Sequence, residues 1–181
     1  MNYLKLLPLI LLLCSCSDSD DGSFDNFTAD YEVYFHLDVV DEQGNSLLDS
    51  NNPDNILEQG VTMTYNGVEY PLVSEEEAMR GDKIHCPYPQ SRLMIPFIYG
   101  IYYDTERDKM YVGDFWAGTS IKEEFTISWG DGTPDDKFEF RSDLFRPKNK
   151  KPYYKLTVWM NGKKSRFDST IAEFKIVRSV K

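Results

Sequence analysis

This 181-residue chain has only 3 Cys and 2 His, and its longest unbroken apolar run is short. Three cysteines cannot build a disulfide scaffold, and a chain of this length with 41% hydrophobic residues does not need one to hold a core. Two histidines without an H-E-x-x-H pattern, a Gly-rich phosphate loop or a nearby Ser or Cys signature give no basis for zinc hydrolysis, phosphoryl transfer or a nucleophilic triad. Basic residues are also scarce, 20 against 30 acidic, for a formal charge of -10. That balance excludes whole-protein affinity for nucleic acid or anionic headgroups, which requires a basic footprint, so any such affinity must be local. A long 3.6-residue apolar period is missing as well.

What is present begins at the N-terminus. Lys5 precedes the run Leu6-Leu7-Pro8-Leu9-Ile10-Leu11-Leu12-Leu13, which stops at Cys14-Ser15-Cys16. As a helix this run spans roughly 12 Å, under half of a ~30 Å hydrocarbon core, so it cannot anchor the chain by crossing. A positive start, short apolar core and small residues at its end predict a secretory signal over 1–15, with a packed N-terminal helix as the structural alternative. Leu13-Cys14-Ser15-Cys16 resembles the bacterial lipobox, with Cys14 at a position where Ala, Ser or Thr is more usual. The resemblance implies cleavage before Cys16 and lipidation of that residue. More than one acyl chain on it would make an effectively permanent membrane anchor.

Cysteine arithmetic then leaves Cys86 as the one free thiol of the processed chain. Adjacent residues of an extended segment point to opposite faces, so a direct Cys86–His85 pair is disfavoured and a buried inert thiol is the expectation.

Residues 16–30 are read as the lipidated Cys and an acidic tether, since Ser17 to Asp30 carry five Asp and no Lys or Arg. This run resembles the acidic stretch after the lipidated Cys in outward-facing lipoproteins of Bacteroidetes-type bacteria. It implies an outer-membrane location facing the cell exterior, against the plainer reading of a linker without sorting meaning. The Val39-to-Tyr70 segment also looks like a recurrent start in uncharacterised surface lipoproteins of that group, a resemblance that implies no activity.

From residue 31 to 181 the pattern predicts one all-β domain. Tyr31, Val33, Phe35, Leu37 and Val39 alternate with Glu32, Tyr34, His36 and Asp38, which places His36 on the polar side, until Gln43-Gly44-Asn45 turns the chain. Ser74 followed by Glu75, Glu76 and Glu77 signals a helical turn. Asn66-Gly67 as a type I′ turn sets Tyr65 opposite Val68, Met63 opposite Tyr70 and Val61 opposite Leu72 on an apolar face. Asn161-Gly162 likewise sets Met160, Val158 and Leu156 against Lys163, Ser165 and Phe167 inside, and Trp159, Thr157 and Lys155 against Lys164, Arg166 and Asp168 outside. Further strands are expected over Leu93 to Tyr103, bent or at an edge because of Pro96, Lys109 to Phe115, Lys137 to Arg141 and Ile171 to Arg178. A long connection is expected through Met79 to Gln90. Such strands suggest an antiparallel β-sandwich with at most short helical turns.

Phe125-Thr126-Ile127-Ser128-Trp129-Gly130-Asp131-Gly132-Thr133 resembles the strand and turn of polycystic-kidney-disease-type domains, which implies an immunoglobulin-like sandwich. By their alternation Phe125, Ile127 and Trp129 are core residues, and Gly130 and Gly132 supply turn conformations closed to residues with a Cβ. Asp131, Asp135 and Asp136 raise calcium binding, but their spacing departs from the EF-hand loop and lacks its closing Glu, so an ordinary Asp turn is expected.

The basic residues are concentrated. Of the 19 after Cys16, eight fall between Arg146 and Arg166 with no acid among them, leaving 11 basic against 30 acidic elsewhere. Trp159 beside Lys155, Lys164 and Arg166 is the candidate ligand site, an aromatic face with charge-assisted donors suited to a sugar or an anionic group. The structural alternative is a Lys-rich edge strand that resists sheet-to-sheet pairing. Taken together, the residues predict a lipid-anchored binding or interaction module without cofactor, resident metal or nucleic-acid partner. Its partner would be a glycan, or an envelope protein if the role is assembly. A hydrolase built on paired carboxylates is the enzymatic alternative, with no catalytic residue assignable.

Overall fold

The computed structural model describes residues 32–80, 100–104, 106–116 and 120–179. The signal, Cys16, the acidic run, the His85–Cys86 pair, Pro96 and the connection to Gln90 lie outside the described residues.

Ten strands and one short helix follow in order: β1 (Glu32–Val40), β2 (Thr62–Tyr65), β3 (Val68–Ser74), α1 (Glu75–Arg80), β4 (Gly100–Asp104), β5 (Lys109–Trp116), β6 (Ser120–Ser128), β7 (Asp136–Phe145), β8 (Tyr153–Met160), β9 (Lys163–Phe167) and β10 (Ile171–Val177). The all-β expectation therefore holds. The strand order is that of one sheet, β10-β1-β5-β4-β3-β2-β6-β7-β8-β9, curled almost into a barrel. Two facing sheets of immunoglobulin type are not what this order shows, and the pairing is not wholly antiparallel: β1 with β10 and β3 with β4 run parallel. Parallel pairs need long connections, and local patterning carries no sign of them.

Both Asn-Gly hairpins have the register that the sequence dictates. Asn66 and Gly67 take φ of 50° and 75°, and Asn161 and Gly162 take 49° and 80°, as type I′ turns require. Met63 pairs with Tyr70 and Tyr65 with Val68, and the Leu72 N–H donates to the Val61 carbonyl. Val61, Met63, Tyr65 and Tyr70 are buried, whereas Val68 at the turn end remains exposed. The β8–β9 pairing runs from Met160–Lys163 to Leu156–Phe167.

The helix start is equally local. The Ser74 Oγ accepts from the Glu77 N–H at 3.2 Å while the Ser74 N–H donates to the Glu77 carboxylate, a reciprocal cap that satisfies two orphan donors.

The core lies inside the barrel. Val33, Phe35, Leu37 and Val39 of β1 point inward and are almost fully buried. The Phe35 ring meets Phe115, Phe125, Phe138 and Phe140 with centroids 4.9–6.0 Å apart, so β1 packs across the interior on β6 and β7. Each such ring contributes roughly 1.5–3 kcal/mol by leaving water. The free edges β9 and β10 share no ladder and meet through side chains, Phe167 on Phe174 at 5.5 Å and Phe174 on Phe138 at 5.7 Å.

The pairings also sort the loops. Glu32 lies opposite Trp116, Ser120 opposite Asp143, Phe145 opposite Tyr153, Leu156 opposite Phe167, and Tyr34 beside Ile171. The start of β1 therefore shares one end of the barrel with the β7–β8 loop and the β9–β10 corner. Trp129 to Asp135 and the Asn161-Gly162 turn lie at the other.

Candidate functional site

The pleat of β7, β8 and β9 puts Trp159, Lys155, Lys164 and Arg166 on the outer face, as the hairpin register requires. Trp159 is half-buried, with the Lys164 Nζ 5.3 Å from its ring centre. Thr157, one pleat along, separates Arg141 on β7 from Arg166 on β9. The acid nearest Trp159 across the sheet is Glu139, and it is engaged by Lys137 at 3.3 Å. Lys137 also bridges to Glu124 at 3.0 Å, and these two carboxylates, Glu124 foremost, raise its pKa. Among the described residues no carboxylate lies within ion-pair distance of Lys164 or Arg166, so both cations face solvent beside the indole.

Lys155 belongs to a different group. Four residues from Trp159 along β8, it sits about 13 Å away. Its cross-strand partner on β7 is Asp143, and the β8–β9 ladder stops at Leu156–Phe167, one position short of Asp168. Its Nζ lies 5.1 Å from the Phe145 ring and 5.8 Å from the Tyr153 ring, which stack on each other at 5.5 Å and 15°. Both rings are exposed, at 40% and 42%. Sequence reasoning missed this pair because Phe145 and Tyr153 meet only through the β7–β8 pairing. The signal available was Tyr153 two residues before Lys155, on the same face of a strand.

The Trp129-to-Asp136 turn is structural in its contacts. The Trp129 Nε1–H donates to Asp136 at 2.9 Å, and Asn161 donates to the other oxygen of that carboxylate at 2.6 Å. Asp131 accepts from the Thr133 N–H at 2.9 Å and from Arg178 at 2.7 Å. Burial opposes ionisation of Asp131, yet the hydrogen bonds from Thr133 and Arg178 hold its carboxyl well below the usual range. Asp131 and Asp136 are thus each bonded within the fold. Among the described residues no three His, Cys, Asp or Glu side chains are grouped to hold a metal ion.

His36 occupies the outer face but is not simply a surface residue, its side chain being only 21% exposed. It packs edge-on to Tyr111 at 4.7 Å, and Tyr111 stacks on Tyr102 at 5.1 Å. Burial lowers its pKa, and Glu173 at 3.7 Å partly opposes the shift.

No protein-family model, no curated protein and no solved structure matches this chain.

Proposed function

We propose that the protein is a lipid-anchored binding module of a Gram-negative cell surface, held through Cys16, that recognises a glycan on the outer face of β8 and β9. The observation that carries the reading is Trp159 flanked by Lys164 and Arg166, two cations without an ion-pair partner among the described residues. An indole face offers apolar contact to a sugar ring, and the flanking cations offer charge-assisted hydrogen bonds to hydroxyls or acidic groups. Retardation in a polysaccharide affinity gel tests it. The wild type is retained and Trp159→Ala is not; equal migration of the two, or no retention of the wild type on a broad polysaccharide panel, removes the reading.

A role in envelope assembly is the second reading, and it draws on the free edges of β9 and β10. An unpaired edge is a template for a partner strand, although Lys163, Lys164 and Arg166 guard β9 against indiscriminate pairing. Crosslinking in intact cells should then recover a stable partner, and recovery of monomer alone counts against it.

A further inference from the structure

The end of the barrel from which the chain leads back toward Cys16 differs in chemistry from the rest of the molecule. At this end β7 stops at Phe145 and β8 starts at Tyr153, and the loop between them carries Arg146, Lys148, Lys150 and Lys151, all exposed. The loop is built to project them. The Lys150 N–H donates to the Pro147 carbonyl, and Asn149 takes a φ of 64°, as the third residue of a type II turn requires. Lys148 and Asn149 thus form the tip. Directly behind it stand the stacked Phe145 and Tyr153 rings, with the Lys155 ammonium over both.

We infer that this β7–β8 loop docks on a lipid surface bearing anionic headgroups, with Phe145 and Tyr153 at the level of the headgroups and the five cations on their phosphates. Clusters of four or more basic residues are attracted to anionic bilayers, the amphipathic Tyr153 ring suits the interface, and the apolar Phe145 ring stacked on it gains by leaving water there. An exposed aromatic stack is otherwise unfavourable at a barrel rim, and contact with the interface removes it from water. Charge also favours this loop over the rest of the molecule, because Arg146 to Lys155 hold five bases and no acid, whereas 30 acids and 14 bases lie outside that stretch after Cys16, five of the acids in the tether. The 15 residues from 17 to 31 reach about 50 Å at full stretch and allow the end to touch the bilayer. The nearness of a bilayer rests on the lipid-anchored reading above; the affinity of the loop for anionic headgroups does not.

The full chain, purified with its anchor and reconstituted into vesicles, is treated with an amine-acylating reagent, and labelling is read lysine by lysine. In vesicles of phosphatidylcholine with phosphatidylglycerol, labelling of Lys148, Lys150 and Lys151 should fall at least threefold relative to pure phosphatidylcholine. Lys163, at the opposite end, should be unchanged, and 1 M salt should abolish the protection because it shortens screening to about 3 Å. The Phe145→Ser/Tyr153→Ser double variant, whose substituted rings lie at the surface, should lose much of it. Equal labelling in both vesicle types overturns the inference. So does equal protection by soluble polygalacturonate and by anionic vesicles with no effect of the double variant, which would assign the loop to a soluble polyanion. Failure of the chain to float with neutral vesicles would remove the anchor reading alone, since labelling with added anionic vesicles still decides the loop.

Discussion

The guanidinium of Arg178 lies 4.3 Å from the centre of the Trp129 ring, so the residue that follows β10 closes over the turn that follows β6. The same guanidinium reaches Asp131 at 2.7 Å and also contacts the Thr133 hydroxyl. One side chain thereby ties the last strand to a loop 47 residues earlier in the chain, where β10 has no ladder partner beyond β1.

That contact makes stability depend on acid. The Asp131 carboxyl has a folded pKa below its ordinary 3.8, so the folded form holds the ionised state more strongly than the unfolded chain does. The stabilisation is complete above about pH 4–5 and drains as the pH falls through the folded pKa. Asp131→Asn should lower stability at pH 7 by about 1 kcal/mol, the upper range for a partly exposed pair, and flatten the loss between pH 4 and pH 2. Urea midpoints across that range measure it. A variant as acid-sensitive as the wild type would show that other carboxylates govern the loss.

Gly130 and Gly132 flank Asp131 with similar positive φ of 72° and 77°, but their surroundings differ. A Cβ on Gly130 would stand 1.9 Å from the Gln59 carbonyl oxygen, whereas one on Gly132 meets nothing within 4 Å. Gly132→Ala should cost about 1 kcal/mol, the strain of a left-handed non-glycine residue. Gly130→Ala adds a backbone collision and should cost roughly 2–4 kcal/mol. Thermal unfolding of the two variants compares them directly, and equal losses would contradict the packing of the Gln59–Gly60 backbone on this turn.

His36 gives a dependence at milder pH. Burial holds its pKa below 6.5 despite Glu173 and Asp38, with Lys109 acting in the same direction as burial. The unfolded chain therefore binds a proton more readily than the folded one, and stability declines as the pH drops below 6.5 toward the folded pKa. His36→Gln should lose less stability than the wild type between pH 7.5 and 5.5. Parallel losses in denaturant titrations at the two pH values would dismiss the effect.

Much of the local structure was legible because its causes are local. An Asn-Gly pair fixes a type I′ turn, the turn fixes the register, and period-two alternation then decides which side chains enter the core. Phe35, Phe125, Ile127 and Trp129 were identified as inward-facing on that basis and are buried. The Ser74 cap was visible for the same reason, its two partners being three residues apart. Of the candidate site, Trp159, Lys164 and Arg166 share the face expected of them. Lys155 does not join them, because it lies four residues from Trp159 along β8 and its ammonium lies over Phe145 of β7 and Tyr153 of β8, which only the β7–β8 ladder brings together.

By itself the sequence determined that the domain is β, the register of its two Asn-Gly hairpins, and that its basic residues gather in one stretch near the C-terminus. Only the tertiary structure decided that ten strands make one almost closed sheet, that β10 returns to lie parallel to β1, and that Arg178 reaches Asp131. The division follows sequence distance. Turn geometry and pleat are set by residues a few positions apart, whereas partners more than a hundred residues away are selected by which closure of the sheet buries the phenylalanines around Phe35, and that selection is a property of the whole packed core.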